Sequence, residues 1–156
     1  MVAAEDVIIP PYAEHLSVLQ GMKGEGDRNK ALTIKDVATL TKASGAKPTL
    51  IPTGYKCYLH PNEYLQLSIR SSSPLKYWLV LANGVGIIDA DYVNNSDNEG
   101  HIYFQVINLS PFPIYIKKGD AIGQAIVVPY NNLDLDLIKS VPRAGGFGST
   151  NEAPST

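Results

Sequence analysis

Glu63-Tyr64-Leu65-Gln66-Leu67-Ser68-Ile69-Arg70 is the stretch whose reading decides the fold. Leu65, Leu67 and Ile69 alternate with Tyr64, Gln66, Ser68 and Arg70. Successive side chains of a strand point to opposite faces, so one row meets a core and Arg70 ends the other row. Towards the C-terminus, Tyr77–Leu81 is a further apolar run, and His101–Asn108 alternates with Ile102, Phe104 and Val106 on one face. Ser110-Pro111-Phe112-Pro113 turns the chain, Ile114 and Ile116 continue, Lys117-Lys118-Gly119-Asp120 makes a tight turn, and Ala121–Val128 is a last long strand. Towards the N-terminus, Lys56–Leu59, Leu50–Ile51 and Val7–Ile9 are short strand-like runs, divided by Pro, Gly and Asn. Many short strands at regular turn spacing predict a mostly β protein, a sandwich or barrel.

One segment interrupts this pattern. Leu16, Leu19 and Met22 stand at helical spacing within Tyr12–Met22. A polar, glycine-bearing loop follows at Lys23–Lys30. A second helix opens at Thr33 as N-cap with Asp36 in its first turn, places Ile34, Val37, Ala38 and Thr41 on one face, and stops near Gly45.

The chain has 156 residues, enough for one domain with a sizeable core. With 44% hydrophobic and 18% charged residues, a wholly disordered chain is excluded. A net charge of −2 supplies no general attraction for nucleic acid, so no direct nucleic-acid binding is expected. The single cysteine, Cys57, allows no intrachain disulfide and no multi-cysteine metal site, which fits a reducing cytoplasm. Its apolar, strand-like surroundings predict a buried, inert thiol. There is no signal-like N-terminus and no apolar run of about 18 residues, so no membrane association is expected.

The chemistry-bearing stretch is Leu81-Ala82-Asn83-Gly84-Val85-Gly86-Ile87-Ile88-Asp89-Ala90-Asp91-Tyr92. Unpaired carboxylates are costly in a core, so an apolar run that delivers Asn83, Asp89 and Tyr92 points to a site. Asn83 offers a donor and an acceptor, which suits the edge of a pyrimidine. Arg70-Ser71-Ser72 joins a cation to hydroxyls, which suits a phosphate. Gln124 shares a strand face with Ile122 and Ile126, and an amide on an apolar stripe needs a partner. In Arg143-Ala144-Gly145-Gly146-Phe147-Gly148-Ser149-Thr150, glycines let backbone N–H groups approach phosphate oxygens, Ser149 and Thr150 can donate to them, and Arg143 can grip them. Phe147 offers a face for stacking. Asn151–Thr156 is expected to be a disordered tail.

The order RSS, LANGVGIIDADY, KKGDAIGQ, RAGGFGST resembles motifs two to five of the trimeric dUTPases, over roughly residues 48–150. The resemblance implies a β jelly roll of the β-clip kind, with a small helical insertion at 12–46, as a single domain over 1–150. It implies a homotrimer with three sites shared between subunits, and dUTP as substrate, with dUMP and diphosphate as products. Asp89 would hold and deprotonate the attacking water. Tyr92 would lie under the deoxyribose and reject a ribose 2′-hydroxyl. Asn83, with the backbone of Gly86, Ile87, Ile88 and Asp89, would read uracil. Arg70, Ser71, Ser72 and Gln124 would hold phosphates. Arg143, Phe147, Gly148 and Ser149 would belong to a mobile glycine-rich lid over 143–150, closing from another subunit with Phe147 on the uracil ring. Mg2+ would be held by substrate phosphates and water, with no direct protein ligand.

The chain departs from the family pattern in several places. The first motif, of the Ala-Gly-x-Asp-Leu type, is not found, and Val2–Pro10 resembles the stretch that normally follows it. The expectation is that the first strand and an aspartate near the metal are missing. Ser72-Ser73-Pro74 stands where glycine is common, Asn94–Gly100 lengthens the turn after Tyr92, Ala121 replaces a usual arginine, and Ala144 replaces a glycine. Residues 12–46 resemble an insertion of bacterial and phage members. Two alternatives accompany this reading: a dCTP deaminase on the same fold, and a non-catalytic regulatory protein that binds a repressor partner through the insertion.

Overall fold

β3 (Glu63–Ile69) lies at the centre of a three-stranded sheet, paired on both edges. The computed structural model describes residues 1–22 and 31–131. On one edge β5 (Gly86–Asp89) runs antiparallel, with Leu65 opposite Ile88 and Leu67 opposite Gly86. On the other edge β8 (Gly123–Pro129) runs antiparallel, with Leu67 opposite Ala125 and Ser68 opposite Gln124. A second sheet has the order β2-β6-β4, from Thr49–Pro52, Tyr103–Asn108 and Leu79–Leu81. A two-stranded ribbon joins β1 (Val7–Ile9) to β7 (Ile114–Ile116).

The period-two rows become the core. Leu65 and Leu67 are buried, as are Ile102, Phe104 and Val106 from β6 and its approach. They meet between the two larger sheets in one apolar cluster with Ile51, Leu81 and Ile122. Burying each such side chain contributes roughly 1.5–3 kcal/mol. The approach of β8 to β6 is close: a Cβ added at Gly123 would lie 2.2 Å from Phe104 Cε1 and 2.7 Å from the Ser68 carbonyl. Gly123→Ala is therefore expected to destabilise the fold by about 1–3 kcal/mol through overpacking. The shift of the urea unfolding midpoint at unchanged slope measures it, and an unchanged midpoint would contradict the packing described here.

Asn108 is polar and 1% exposed, yet fully partnered. Its amide donates to the carbonyls of Ile9 (3.1 Å) and Phe112 (2.7 Å), and its Oδ1 accepts from the backbone N–H and hydroxyl of Ser110. The Ser110–Pro113 turn is thereby tied to β1.

α1 (Tyr12–Met22) and α2 (Ile34–Ser44) form as their sequences predict. Thr33 and Asp36 close a reciprocal capping box, and Gly45 ends α2 in the left-handed region at φ 70. The Thr33 hydroxyl, then its N–H, hold the Asp36 carboxyl below the usual carboxylate range. The predicted face of α2 finds no core: neither helix buries a residue, and Ile34 is 90% exposed. Helical spacing sets which side chains share a face, but only a packed neighbour can bury that face. Lys23–Lys30 lies outside the described residues.

Four further expectations change. Lys56–Leu59 forms no strand. The Tyr55 carbonyl makes a loop bond with the Ile102 N–H (2.9 Å), and Tyr55 and Tyr58 are mostly exposed. Tyr77 belongs not to the strand β4 but to α3 (Ser72–Tyr77), a short helix with Pro74 in its first turn, where a missing N–H costs nothing. The last strand begins at Gly123 rather than Ala121, and runs to Pro129. Cys57 is half-buried rather than buried. Burial, aided by the Glu63 carboxylate, pushes its thiol up, which keeps thiolate scarce at neutral pH and agrees with an inert side chain.

Candidate active site

The chain changes sheets between β4 and β5, and the site lies at that crossing. Leu79–Leu81 pairs with β6, whereas Gly86–Asp89 pairs with β3. The connection is a tight turn in which the Gly84 N–H donates to the Leu81 carbonyl (3.0 Å) and the Val85 N–H to that of Asn83 (2.8 Å). Gly84 takes φ 71, which its missing Cβ allows without strain. Gly86 is packed closely, since an added Cβ would lie 3.0 Å from Leu67 Cβ.

A cavity of about 220 Å³ opens at this seam, walled by Asn83, Gly86, Ile87, Ile88, Asp89 and Tyr92, and closed by Leu67, Leu81, Tyr103 and Gln105. That is smaller than the roughly 300–1,000 Å³ of sites that enclose a whole drug-sized ligand. Backbone groups of Gly86–Asp89 and the side chain of Asn83 give it a polar edge, and Tyr92 gives it an aromatic wall. Asp89 ends β5 on the exposed side, opposite Tyr64 of β3. Tyr92 closes a single 3-10 turn, Ala90–Tyr92, and is 5% exposed. Its hydroxyl donates to the His101 carbonyl (3.2 Å) and accepts from Asn98 Nδ2 (2.8 Å).

Arg70, Ser71 and Ser72 lie elsewhere. Arg70 and Ser72 line a second cavity of about 330 Å³ with Ser73, Tyr77, Tyr115, Asp120 and Ala121. Ser71 is exposed beside them. The β3–β8 pairing brings this corner together, with Arg70 Nη1 donating to the Ala121 carbonyl at 3.5 Å. Gln124 lies opposite Ser68, two residues before Arg70. It is exposed, and so is Ile126, whereas Ile122 on the same stripe is buried, so only the far end of the stripe is open on this chain.

β3 therefore separates the two halves. Asp89 is opposite Tyr64 at one end, and Arg70 follows Ile69 at the other. Six residues at about 3.4 Å each place them roughly 20 Å apart along the strand.

Four site residues of the sequence reading, Arg143, Phe147, Gly148 and Ser149, lie outside the described residues, as do the rest of the lid and the tail. Among the described residues, no three His, Cys, Asp or Glu side chains gather as a metal would need. Sequence reasoning missed Tyr103 and Gln105. They alternate with Ile102, Phe104 and Val106, so the same period of two that identified the core row could have assigned them to the opposite face. It also missed Asn95 and Asn98, which no periodic signal marks.

The family model for dUTPase matches residues 34–151, across both halves of the site. The chain belongs to the dUTPase family. It is 40% identical over 129 residues to the deoxyuridine 5′-triphosphate nucleotidohydrolase of Lactococcus lactis subsp. lactis (strain IL1403), covering 82% of this chain and 85% of the relative. It is 32% identical over 146 residues to the enzyme of the same name from Rickettsia rickettsii (strain Sheila Smith), covering 91% of this chain and 87% of that one. Among solved structures, the dUTPase of Streptococcus mutans superposes with a TM-score of 0.60 at 30% identity, over 85% of this chain and 77% of that one. A mutant dUTPase from phage phi11 of S. aureus, described as coordinating a structural Mg(II) ion, superposes with a TM-score of 0.52 over 89% and 80% of the two chains. At 16% identity it speaks for the fold alone. The neighbours bear out the mostly β, jelly-roll expectation. This dUTPase-family chain has no helix, among the described residues, long and apolar enough to cross a membrane.

Proposed function

We propose that this chain hydrolyses dUTP to dUMP and diphosphate, in the cytoplasm, as a step of nucleotide metabolism that keeps uracil out of DNA. The observation that carries the reading is the convergence of Asn83, the Gly86–Asp89 backbone and Tyr92 on one cavity. In it the Asn83 amide and the Gly86–Asp89 backbone read the uracil edge. Tyr92 forms the wall under the deoxyribose. Asp89, at the exposed end of β5, orients a water and takes its proton as general base. Arg70, Ser71, Ser72 and Gln124 hold the triphosphate with charge-assisted and hydroxyl bonds. Arg143, Phe147, Gly148 and Ser149 close over the nucleotide and exclude bulk water.

Mg2+ fits this arrangement as a hard cation that keeps several waters and binds phosphate oxygens, so the protein need not supply a cage. Bound there, it would neutralise charge on the triphosphate. The chain's own residues then supply position: attack needs water and phosphorus held in line, and Asp89 and the Arg70 corner do that from two sides.

The spacing of the two halves supports a site shared between copies. A triphosphate is much shorter than the roughly 20 Å between Asp89 and Arg70, given the rise of about 3.4 Å per strand residue. The base pocket of one copy therefore works with the phosphate corner of another. A closed ring of copies satisfies this repeatedly, and the homotrimer with three shared sites is the reading adopted.

The test is a diphosphate-release assay with and without Mg2+ on dUTP, dCTP, dTTP and UTP. Mg2+-dependent release from dUTP alone is the expected result. Ammonia release from dCTP would move the chain to the deaminase reading. A second role, binding a repressor-type protein through the insertion, is favoured by the unburied apolar residues Leu16, Val18, Ile34 and Val37 of α1 and α2. A chain that binds dUTP without hydrolysing it and retains a protein partner would support that role.

A further inference from the structure

The lengthened turn after Tyr92 is a clamp on that one side chain. Asn95 is buried, and its Nδ2 donates to the Tyr92 carbonyl (3.0 Å) and to Asn98 Oδ1 (2.8 Å). Its Oδ1 accepts from the N–H groups of Asp97 (3.0 Å) and Asn98 (3.2 Å). Asn98 Oδ1 also accepts from the Gly100 N–H (3.1 Å), which leaves Asn98 Nδ2 aimed at the Tyr92 hydroxyl (2.8 Å). The turn closes at Gly100, where φ is 82 and an added Cβ would lie 2.8 Å from Val93 Cα. The seven residues Asn94–Gly100 thus hold Tyr92 at both ends, by its carbonyl and by its phenol oxygen.

This has a consequence for how Tyr92 can act. Its one hydroxyl proton is committed to the His101 carbonyl (3.2 Å), so the phenol has none to donate to a sugar. What the side chain offers the cavity is the surface of a ring. A ring discriminates by shape only if it cannot yield, because a side chain that rotates aside admits one extra hydroxyl at small cost. Asn98 and the His101 carbonyl together remove that freedom, with Asn98 the shorter bond and Asn95 fixing Asn98.

We infer that Asn98 is a positioning residue that sets sugar selectivity, by locking the Tyr92 ring against the space a ribose 2′-hydroxyl would occupy. The inference rests on the reading that Tyr92 is the wall under the deoxyribose. It predicts that weakening the clamp raises turnover of the ribonucleotide more than it lowers turnover of the deoxyribonucleotide.

The experiment compares kcat/KM for dUTP and UTP in four proteins: wild type, Asn98→Ala, Asn98→Asp and Tyr92→Ala. Asn98→Ala is expected to lower the dUTP-to-UTP ratio about tenfold, within the range that small misplacements cost. Asn98→Asp keeps the acceptor for Asn95 and Gly100 and lets the phenol turn to donate to it, so most of the ratio returns. Tyr92→Ala is expected to lose more of the ratio than either. If Tyr92→Ala loses the ratio but Asn98→Ala keeps it, Asn98 serves the fold only and the inference is overturned. If Tyr92→Ala itself keeps the ratio, the assignment of Tyr92 to the sugar fails instead. Should Asn98→Ala not fold, Tyr92→Phe breaks the same bond from its other side, and a wild-type ratio in it overturns the inference equally.

Discussion

Asp89→Asn is expected to lower kcat on dUTP about 10³-fold, the middle of the range for loss of a general base. The substitution keeps the size and shape of the side chain and removes its ability to take a proton from water. Asp89 ends β5 on the exposed side, and its ladder partner is Tyr64. The melting temperature should therefore stay within a degree or two of wild type, since surface substitutions rarely exceed ±0.5 kcal/mol. KM should change little, because Asn83, the Gly86–Asp89 backbone and Tyr92 still form the cavity. A large loss in kcat with KM preserved is the signature of an interaction made in the transition state. Near-normal turnover by this variant would remove Asp89 from the mechanism.

Mixing two inactive variants is expected to restore activity. Arg70→Ala removes a cation from the phosphate corner, and Asp89→Asn removes the base from the other end of β3. Neither homogeneous protein should turn over appreciably. If each site draws its base pocket from one copy and its phosphate corner from a neighbour, unfolding and reassembling an equal mixture yields some sites with both intact halves. One half multiplied by one half gives about a quarter of the wild-type sites, for a ring in which each contact is head to tail. If one chain carried a complete site, every site would hold one lesion and the mixture would stay inactive. A restored fraction that follows the mixing ratio would establish sharing, and absence of any recovery would sink it. The effect is all-or-none, which is why it outranks the stability changes expected from the core.

These two predictions draw on different kinds of information. The grouping of Asn83, Asp89 and Tyr92 around one cavity was legible in the linear order of residues, since they lie within ten positions and one turn collects them. The separation of Asp89 from Arg70 was not. It depends on β5 lying antiparallel to β3, so that Asp89 falls opposite Tyr64 rather than beside Arg70. Nothing in either segment records that direction. Gln124 shows the same limit. Its strand and its alternation were readable, yet whether that face meets a core or open space depends on what is packed against it, and here it is exposed.

By itself the sequence determined what is set over short distances. The alternation of Leu65 and Leu67, and of Ile102, Phe104 and Val106, assigned strand and inward face, because the side-chain period of a strand is two. Thr33, Asp36 and Gly45 set the ends of α2, because capping involves groups three or four residues apart. Only the tertiary structure decided what depends on neighbours distant in the chain. It left α1 and α2 without a core and turned Ser72–Tyr77 into a helix beside Arg70. It also left Lys56–Leu59 without a strand partner among the described residues, and it clamped Tyr92 with the Asn95–Asn98 network. The physical reason is common to all four. A local pattern states which groups can be satisfied together, but burial and pairing are supplied by segments whose arrival depends on the register of the whole sheet.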